Sequence, residues 1–222
     1  ATPARISLII DDIGYSRRRA RMFLTLPIPI TYAVLPRLPL TRPLAAEIHE
    51  AGHQLLLHQP MEPVDDRFDP GPGALYTRYE TDRITDILGE NLDSVGFAAG
   101  VNNHMGSLFT AHADKMRPTL EILKDKNRFF VDSVTCRRST GFQTALWLNL
   151  PCARRHVFLD NVRKVPAIFG QLQCLAEKAR LNGCAVGMGH PYPETAAAVG
   201  RFFRSSEAAL LEPVYVSSLL TL

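Results

Sequence analysis

A parallel α/β architecture, barrel-like in its sheet, follows from three features of this chain. Short apolar runs rich in β-branched residues alternate with stretches of helical periodicity along all 222 residues, the pattern of β-α units joined by right-handed crossovers. Nearly every run ends in a polar residue capable of chemistry: Asp11 and Asp12, His58, Asn103 and His104, Asp132, Asp160 and His190. The length suits one α/β barrel, so a single domain over 1–222 is expected.

The first run, Ser7-Leu8-Ile9-Ile10, stops at Asp11-Asp12-Ile13-Gly14, and Ser16 reads as the N-cap of a helix opening with Arg17-Arg18-Arg19. A second strand is predicted over 28–36 between prolines, a helix over 40–51 closed by Gly52, and a third strand over 54–57 that delivers His58. Residues 60–79 are rich in Pro, Gly and Asp and read as a long loop, a kind that is commonly functional or mobile. A helix over 80–95 places Ile84, Ile87, Leu88, Leu92 and Val95 on one face, and a strand over 96–101 leads into Asn102-Asn103-His104. The alternation continues with a helix over 113–126, a strand over 128–131 before Asp132, and a short helix over 140–149. A strand over 156–159 before Asp160, a long helix over 165–182 closed by Gly183, and a strand over 184–188 before His190 follow. A helix over 194–203 and a last strand over 214–216 complete the chain.

Composition narrows the function. A net charge of +3 is small, and the Arg17–Arg21 cluster lacks interleaved aromatics, so it reads as a solvated face and nucleic acid is not an implied partner. No apolar stretch approaches the ~20 residues of a membrane span. Cys136, Cys152, Cys174 and Cys184 have no C-x-x-C spacing, which leaves two disulfides or four buried thiols open. The start at Ala1-Thr2-Pro3-Ala4, with neither initiator Met nor signal peptide, is expected of a trimmed exported domain.

Strand carboxyl ends are where α/β folds bind ligands. Two adjacent carboxylates beside an apolar run repel each other, and a cation resolves the conflict; equally, one could cap the helix while the other is solvated. Asp and His donors without cysteine suit Zn²⁺, Mn²⁺ or Co²⁺ in a sphere that keeps a water. A carboxylate and a histidine that do not ligate would serve as general base and acid, which together predicts metal-assisted hydrolysis. Ser107 lacks a nucleophile-elbow pattern, and His49, His53, His112 and His156 have no converging partners, so packing or surface roles are expected for them. Trp147 reads as core or rim.

The segments IIDDIGYS, LLLHQPMEP, VNNHMGS, FFVDS, VFLDN and GHPYPET, in this order over nearly the full chain, resemble the divergent polysaccharide deacetylase (YibQ-like) family, related to the NodB-like polysaccharide deacetylases. The resemblance implies a distorted (β/α) barrel of about seven strands that hydrolyses N-acetyl groups on an envelope polysaccharide or peptidoglycan, in the periplasm or at the cell surface. It maps the catalytic base to Asp11, a divalent-metal ligand to Asp12, the first ligand histidine to His58 and the acid to His190. Glu62 stands where the second ligand histidine belongs, with Pro60 inside the span, and His104 is an alternative third ligand. Asp132 joins the catalytic set, and Asn103, Ser107 and Tyr192 are expected to contact substrate. The Arg-x-Pro-Tyr and Asp-x-x-Asp-Trp motifs of that family are not recognisable. Zinc is the expected ion, and a silent glycan- or partner-binding barrel is the alternative function.

Overall fold

The computed structural model describes residues 3–222; Ala1 and Thr2, on which the exported-terminus expectation partly rests, lie outside the described residues. Strands β1 (Ala4–Ile13), β2 (Thr31–Val34), β3 (Gln54–Met61), β4 (Gly100–Met105) and β5 (Phe129–Asp132) are separated by helices α1 (Arg17–Leu24), α2 (Thr41–Glu50), α3 (Thr81–Val95) and α4 (Ala113–Asp125). Then come α5 (Gly141–Trp147), β6 (Cys152–Arg154), β7 (Val157–Phe158), α6 (Val165–Asn182), β8 (Cys184–Gly189), α7 (Pro193–Phe203) and β9 (Leu211–Pro213).

Eight strands follow one path in the order β6-β5-β4-β3-β2-β1-β8-β7, and β9 pairs with the start of β1. Every ladder is parallel. The two ends of the path, β6 and β7, are joined by Arg155-His156, so the sheet curls until its edges lie within covalent reach, while no ladder among the described residues closes them. The result is a distorted parallel barrel with helices outside.

Alternation along each strand sorts the core into two layers. Leu8, Ile10, Leu55, Leu57, Val101 and Phe130 pack outward against the helices. Ile9, Ala33, Leu56, Val131, Ala153, Val186 and Met188 fill the interior, together with Val216 and Leu219 from a 3-10 turn over Val216–Leu219. Two residues further along the same inward rows come Asp11 after Ile9, His58 after Leu56 and His190 after Met188. The apolar floor and the polar mouth are therefore successive layers of one barrel.

Several element boundaries differ from expectation for identifiable reasons. β3 runs through Pro60 because β2 has ended: Pro60 O accepts from Leu75 N at 2.9 Å, so the missing proline donor falls on the side β2 has vacated. β4 starts at Gly100 rather than 96, since Gly96, at φ 86°, is the C-cap of α3. Asn102 and Asn103 then lie within β4, where tertiary hydrogen bonds override their low strand propensity. β6 is too short to be expected from periodicity, and Val214–Val216 is not a strand; β9 precedes it. All four cysteines are free thiols, and only Cys152 is buried.

Candidate functional site

Asp11 and Asp12 occupy consecutive positions at the end of β1 with opposite surroundings. Asp11 points inward, 4% exposed, and accepts a hydrogen bond from Asn102 Nδ2 at 2.8 Å. Burial raises its pKa, against the lowering influence of His58 and His190. Asp12 adopts a left-handed conformation, φ 56°, which turns its carboxylate toward β3 and β4. Burial opposes its charge as well, yet His104 and His58 outweigh it and hold the carboxyl well below the usual range.

Three ligating atoms meet there. Asp12 Oδ1 lies 3.2 Å from His58 Nε2 and 3.0 Å from His104 Nδ1, and the two imidazole nitrogens are 3.2 Å apart. The oxygen is buried yet has no hydrogen bond of acceptable geometry to anything. Lone pairs so arranged repel unless a proton or a metal cation sits among them. Tetrahedral zinc, with ligand bonds of about 2.0–2.1 Å, sets its ligand atoms about 3.3–3.4 Å apart, so this triangle matches one face of its coordination sphere. Asp12, His58 and His104 are the residues that could hold such an ion.

Asn102 fixes the histidine for that task. It pairs with His58 in the β3–β4 register, and its Oδ1 stands 2.9 Å from His58 Nδ1. An amide oxygen only accepts, so Nδ1 carries the hydrogen, and in the neutral imidazole Nε2 presents its lone pair. Buried between Asp11 and Asp12, His58 has a raised pKa: burial lowers it, and the two carboxylates more than compensate.

His190, at the end of β8, is saturated instead. Its Nδ1 lies 2.9 Å from Asp160 Oδ1, and its backbone N–H donates to Asp160 Oδ2 at 2.6 Å. Thr195 Oγ1 also donates to Asp160 Oδ2, at 2.8 Å. Burial disfavours the imidazolium, but Asp160, with Asp12 and Asp11, pushes the His190 pKa up to about 9. Nε2 faces Asp12 Oδ2 at 3.7 Å.

These groups line a cleft of about 480 Å³ at the mouth of the barrel, with Asn103, Ser133, Thr135, Arg155 and Phe158 among its walls. The volume is within the roughly 300–1,000 Å³ of ligand sites. Three non-glycine residues of the walls, Asp12, Met105 and Val134, have φ of 56°, 52° and 50°. Such conformations cost about 1–3 kcal/mol each, most for a β-branched residue like Val134.

Asp11, Asp12, His58, Asn103, His104 and His190 thus come together at one cleft, while four other candidates stand apart from it. Glu62 follows β3, and four residues along a strand are about 13 Å, so it does not reach the ion position; its carboxylate accepts from Thr77 N and Oγ1 at 2.7 Å each. Asp132 accepts from Val134 N, Ser139 Oγ and Phe142 N and holds the turn that carries Val134. Ser107 Oγ accepts from Val64 N at 3.0 Å. Tyr192 lines a smaller adjoining chamber with Tyr15, Arg19 and His190. Sequence reasoning missed Asn102, whose signal was its place beside Asn103, and Arg155, which no periodicity marks. Trp147 is 74% exposed and so is not part of the core.

Comparison with known proteins bears on the family and the fold. The family model for divergent polysaccharide deacetylases matches residues 8–220. The uncharacterized protein YibQ of Escherichia coli (strain K12) is 32% identical over 191 residues, which are 86% of this chain and 60% of that protein. The chain therefore spans under two thirds of that relative's length. The crystal structure of an uncharacterized protein from Agrobacterium tumefaciens C58 superposes with a TM-score of 0.93 at 24% identity, covering 99% of this chain and 90% of that one. The catalytic domain of the peptidoglycan N-acetylglucosamine deacetylase from Eubacterium rectale shares the fold at a TM-score of 0.52 and 12% identity, covering 99% and 92%.

Proposed function

The chain belongs to the divergent polysaccharide deacetylase family, and we propose that it is a metal-dependent hydrolase removing N-acetyl groups from an envelope polysaccharide or peptidoglycan. The observation that carries this reading is the triangle of Asp12 Oδ1, His58 Nε2 and His104 Nδ1 around an unpartnered buried oxygen. Zn²⁺ fits this donor set, with Mn²⁺ or Co²⁺ as alternatives. Such an ion supplies acidity to a water and polarises the amide carbonyl.

The remaining steps belong to the chain's own residues. Asp11, poised by burial and oriented by Asn102, takes one proton from the attacking water. His190, held protonated by Asp160, gives its proton to the amide nitrogen as the C–N bond breaks. The products are acetate and a free amine. Asn103 and Tyr192 contact the glycan, whereas Asp132, Glu62 and Ser107 act by holding the surrounding loops. An envelope substrate places the protein in the periplasm or at the cell surface; no helix among the described residues is long and apolar enough to cross a membrane.

Incubation of the zinc-, manganese- or cobalt-loaded protein with N-acetylated glycans should release acetate, and H104A should lose both bound metal and acetate release. Stoichiometric metal with no acetate from any glycan would instead favour the silent binding barrel. That second reading draws on Glu62 standing in the second histidine's place, and the position of His104 weighs against it.

A further inference from the structure

One wall of the cleft carries a cation with no ion-pair partner among the described residues. Arg155 belongs to the two-residue link between β6 and β7 and is half-buried. Its Nε and Nη2 donate to the carbonyl oxygens of Ser133 and Val134, both at 2.7 Å. Its guanidinium carbon lies 5.2 Å from the centre of the Phe158 ring. Two contacts with carbonyls and one with an aromatic ring fix the plane of the fork, and they consume two of its five N–H donors.

None of these partners is an anion. Arg155 makes no ion pair among the described residues. The carboxylates close enough to influence it are Asp11 and Asp132, and neither forms an ion pair with it. Asp132 accepts three hydrogen bonds from its own turn, and Asp11 accepts from Asn102. The guanidinium is held rigid by Val134, a residue that is itself strained at φ 50°, and it lines the same cleft as the Asp12-His58-His104 cluster. A rigid, half-buried fork of donors with no internal anion is a preformed site for a carboxylate.

We infer that Arg155 is a specificity residue and that the substrate is an acidic glycan, a carboxylate on or beside the N-acetylated sugar being bound by the free edge of the Arg155 guanidinium. This rests on the deacetylase reading for the identity of the sugar but not for the anion. The carboxylate could belong to a uronic acid or to a lactyl ether, and the two sources are separable by probe.

The test is a binding measurement on the full zinc-loaded chain, which needs no turnover. The probes are a neutral chitin tetrasaccharide, a peptide-free peptidoglycan tetrasaccharide bearing lactyl ethers, and a tetrasaccharide alternating N-acetylglucosamine with glucuronate. At least one acidic probe is expected to bind about 10–100-fold more tightly than the neutral one, the span of a hydrogen-bonded ion pair. R155Q should erase that preference without weakening the neutral probe, and R155K, which keeps charge but not the fork, should restore part of it. Which acidic probe is preferred identifies the carboxylate's source. Equal binding of all three probes by the unmodified protein, or no binding of any, overturns the inference whether or not R155Q folds. Equal weakening of neutral and acidic probes by R155Q also overturns it and leaves Arg155 a positioning residue. An acidic preference without acetate release would keep this inference and remove the deacetylase reading.

Discussion

The floor and the mouth of this barrel are built on the same inward-facing rows, yet they obey opposite rules. At the floor, Ile9, Leu56, Val131 and Val186 are buried against Val216 and Leu219, and polar groups are few: the unpartnered Ser7 hydroxyl and Thr31, whose Oγ1 accepts from Val216 N at 3.2 Å. One layer up, the strand ends and the links beside them carry two carboxylates, three histidines and an arginine, with an orphaned oxygen and three left-handed non-glycine residues. The difference teaches where the protein's stability resides and where stability has been given up. Strain and unsatisfied polar groups persist only when surrounding structure over-determines them, and the floor supplies that surrounding.

The sharpest way to break this comparison is to cut one residue from each layer. His104 is a partly exposed member of the Asp12-His58-His104 triangle. H104A is expected to lower zinc affinity by more than the about 10–100-fold that loss of a merely supporting group costs, with little change in the melting temperature of the metal-free protein. Leu56, fully buried, is the floor counterpart. L56A should cost about 2–5 kcal/mol, each kcal/mol lowering Tm by roughly 2–4 °C in a chain this long, while metal stoichiometry of the folded fraction is unchanged. Zinc titration and thermal melts on both variants decide it; a large Tm loss in H104A or a metal loss in L56A would erase the distinction.

A smaller effect is expected from Asp160. In the proposed mechanism His190 is the general acid and must be protonated, and its folded pKa, raised to about 9 against burial mainly by Asp160, sets where protonation ends. The sign follows directly: activity carried by the imidazolium is present below that pKa and lost as pH rises through it. D160N removes the raising charge, so the alkaline limb of the kcat profile should move to lower pH, with a rate loss of about 10–100-fold at neutral pH, the scale of a removed orienting partner. An alkaline limb that stays in place would show that another group supplies the proton.

The two layers also differ in how much of them the sequence discloses. A strand that ends in Asp11-Asp12, or in His58, announces both its direction and its chemistry, because an apolar run that stops at a charge marks where a buried strand reaches the open edge of its sheet. His104 and His190 are legible for the same reason. Glu62 is misleading because the resemblance puts it where a second ligand histidine belongs, whereas β3 continues extended through Pro60 and carries Glu62 away. Arg155 and the strand Cys152–Arg154 before it are illegible, since three residues are too few to show a period. Asn102 reads as a turn residue by propensity, and only the register of β3 against β4 reveals that it orients His58 and Asp11 together.

The smallest expected effect tests whether the mouth's strain is the counterpart of the floor's excess. Val134 sits at φ 50°, a conformation that costs a β-branched residue about 1–3 kcal/mol, while its backbone carbonyl receives Arg155 and its N–H donates to Asp132. Glycine adopts that conformation freely but loses roughly 0.5–1 kcal/mol more in chain entropy. V134G should therefore raise stability by about 0–2 kcal/mol, a Tm increase of at most several degrees. It also frees the turn to wander, so Arg155 should be less rigidly held and substrate affinity should fall even as the melting temperature rises. A lower Tm for V134G would mean that the valine side chain packs well enough to offset its backbone, and that the mouth is less strained than its dihedral angles imply.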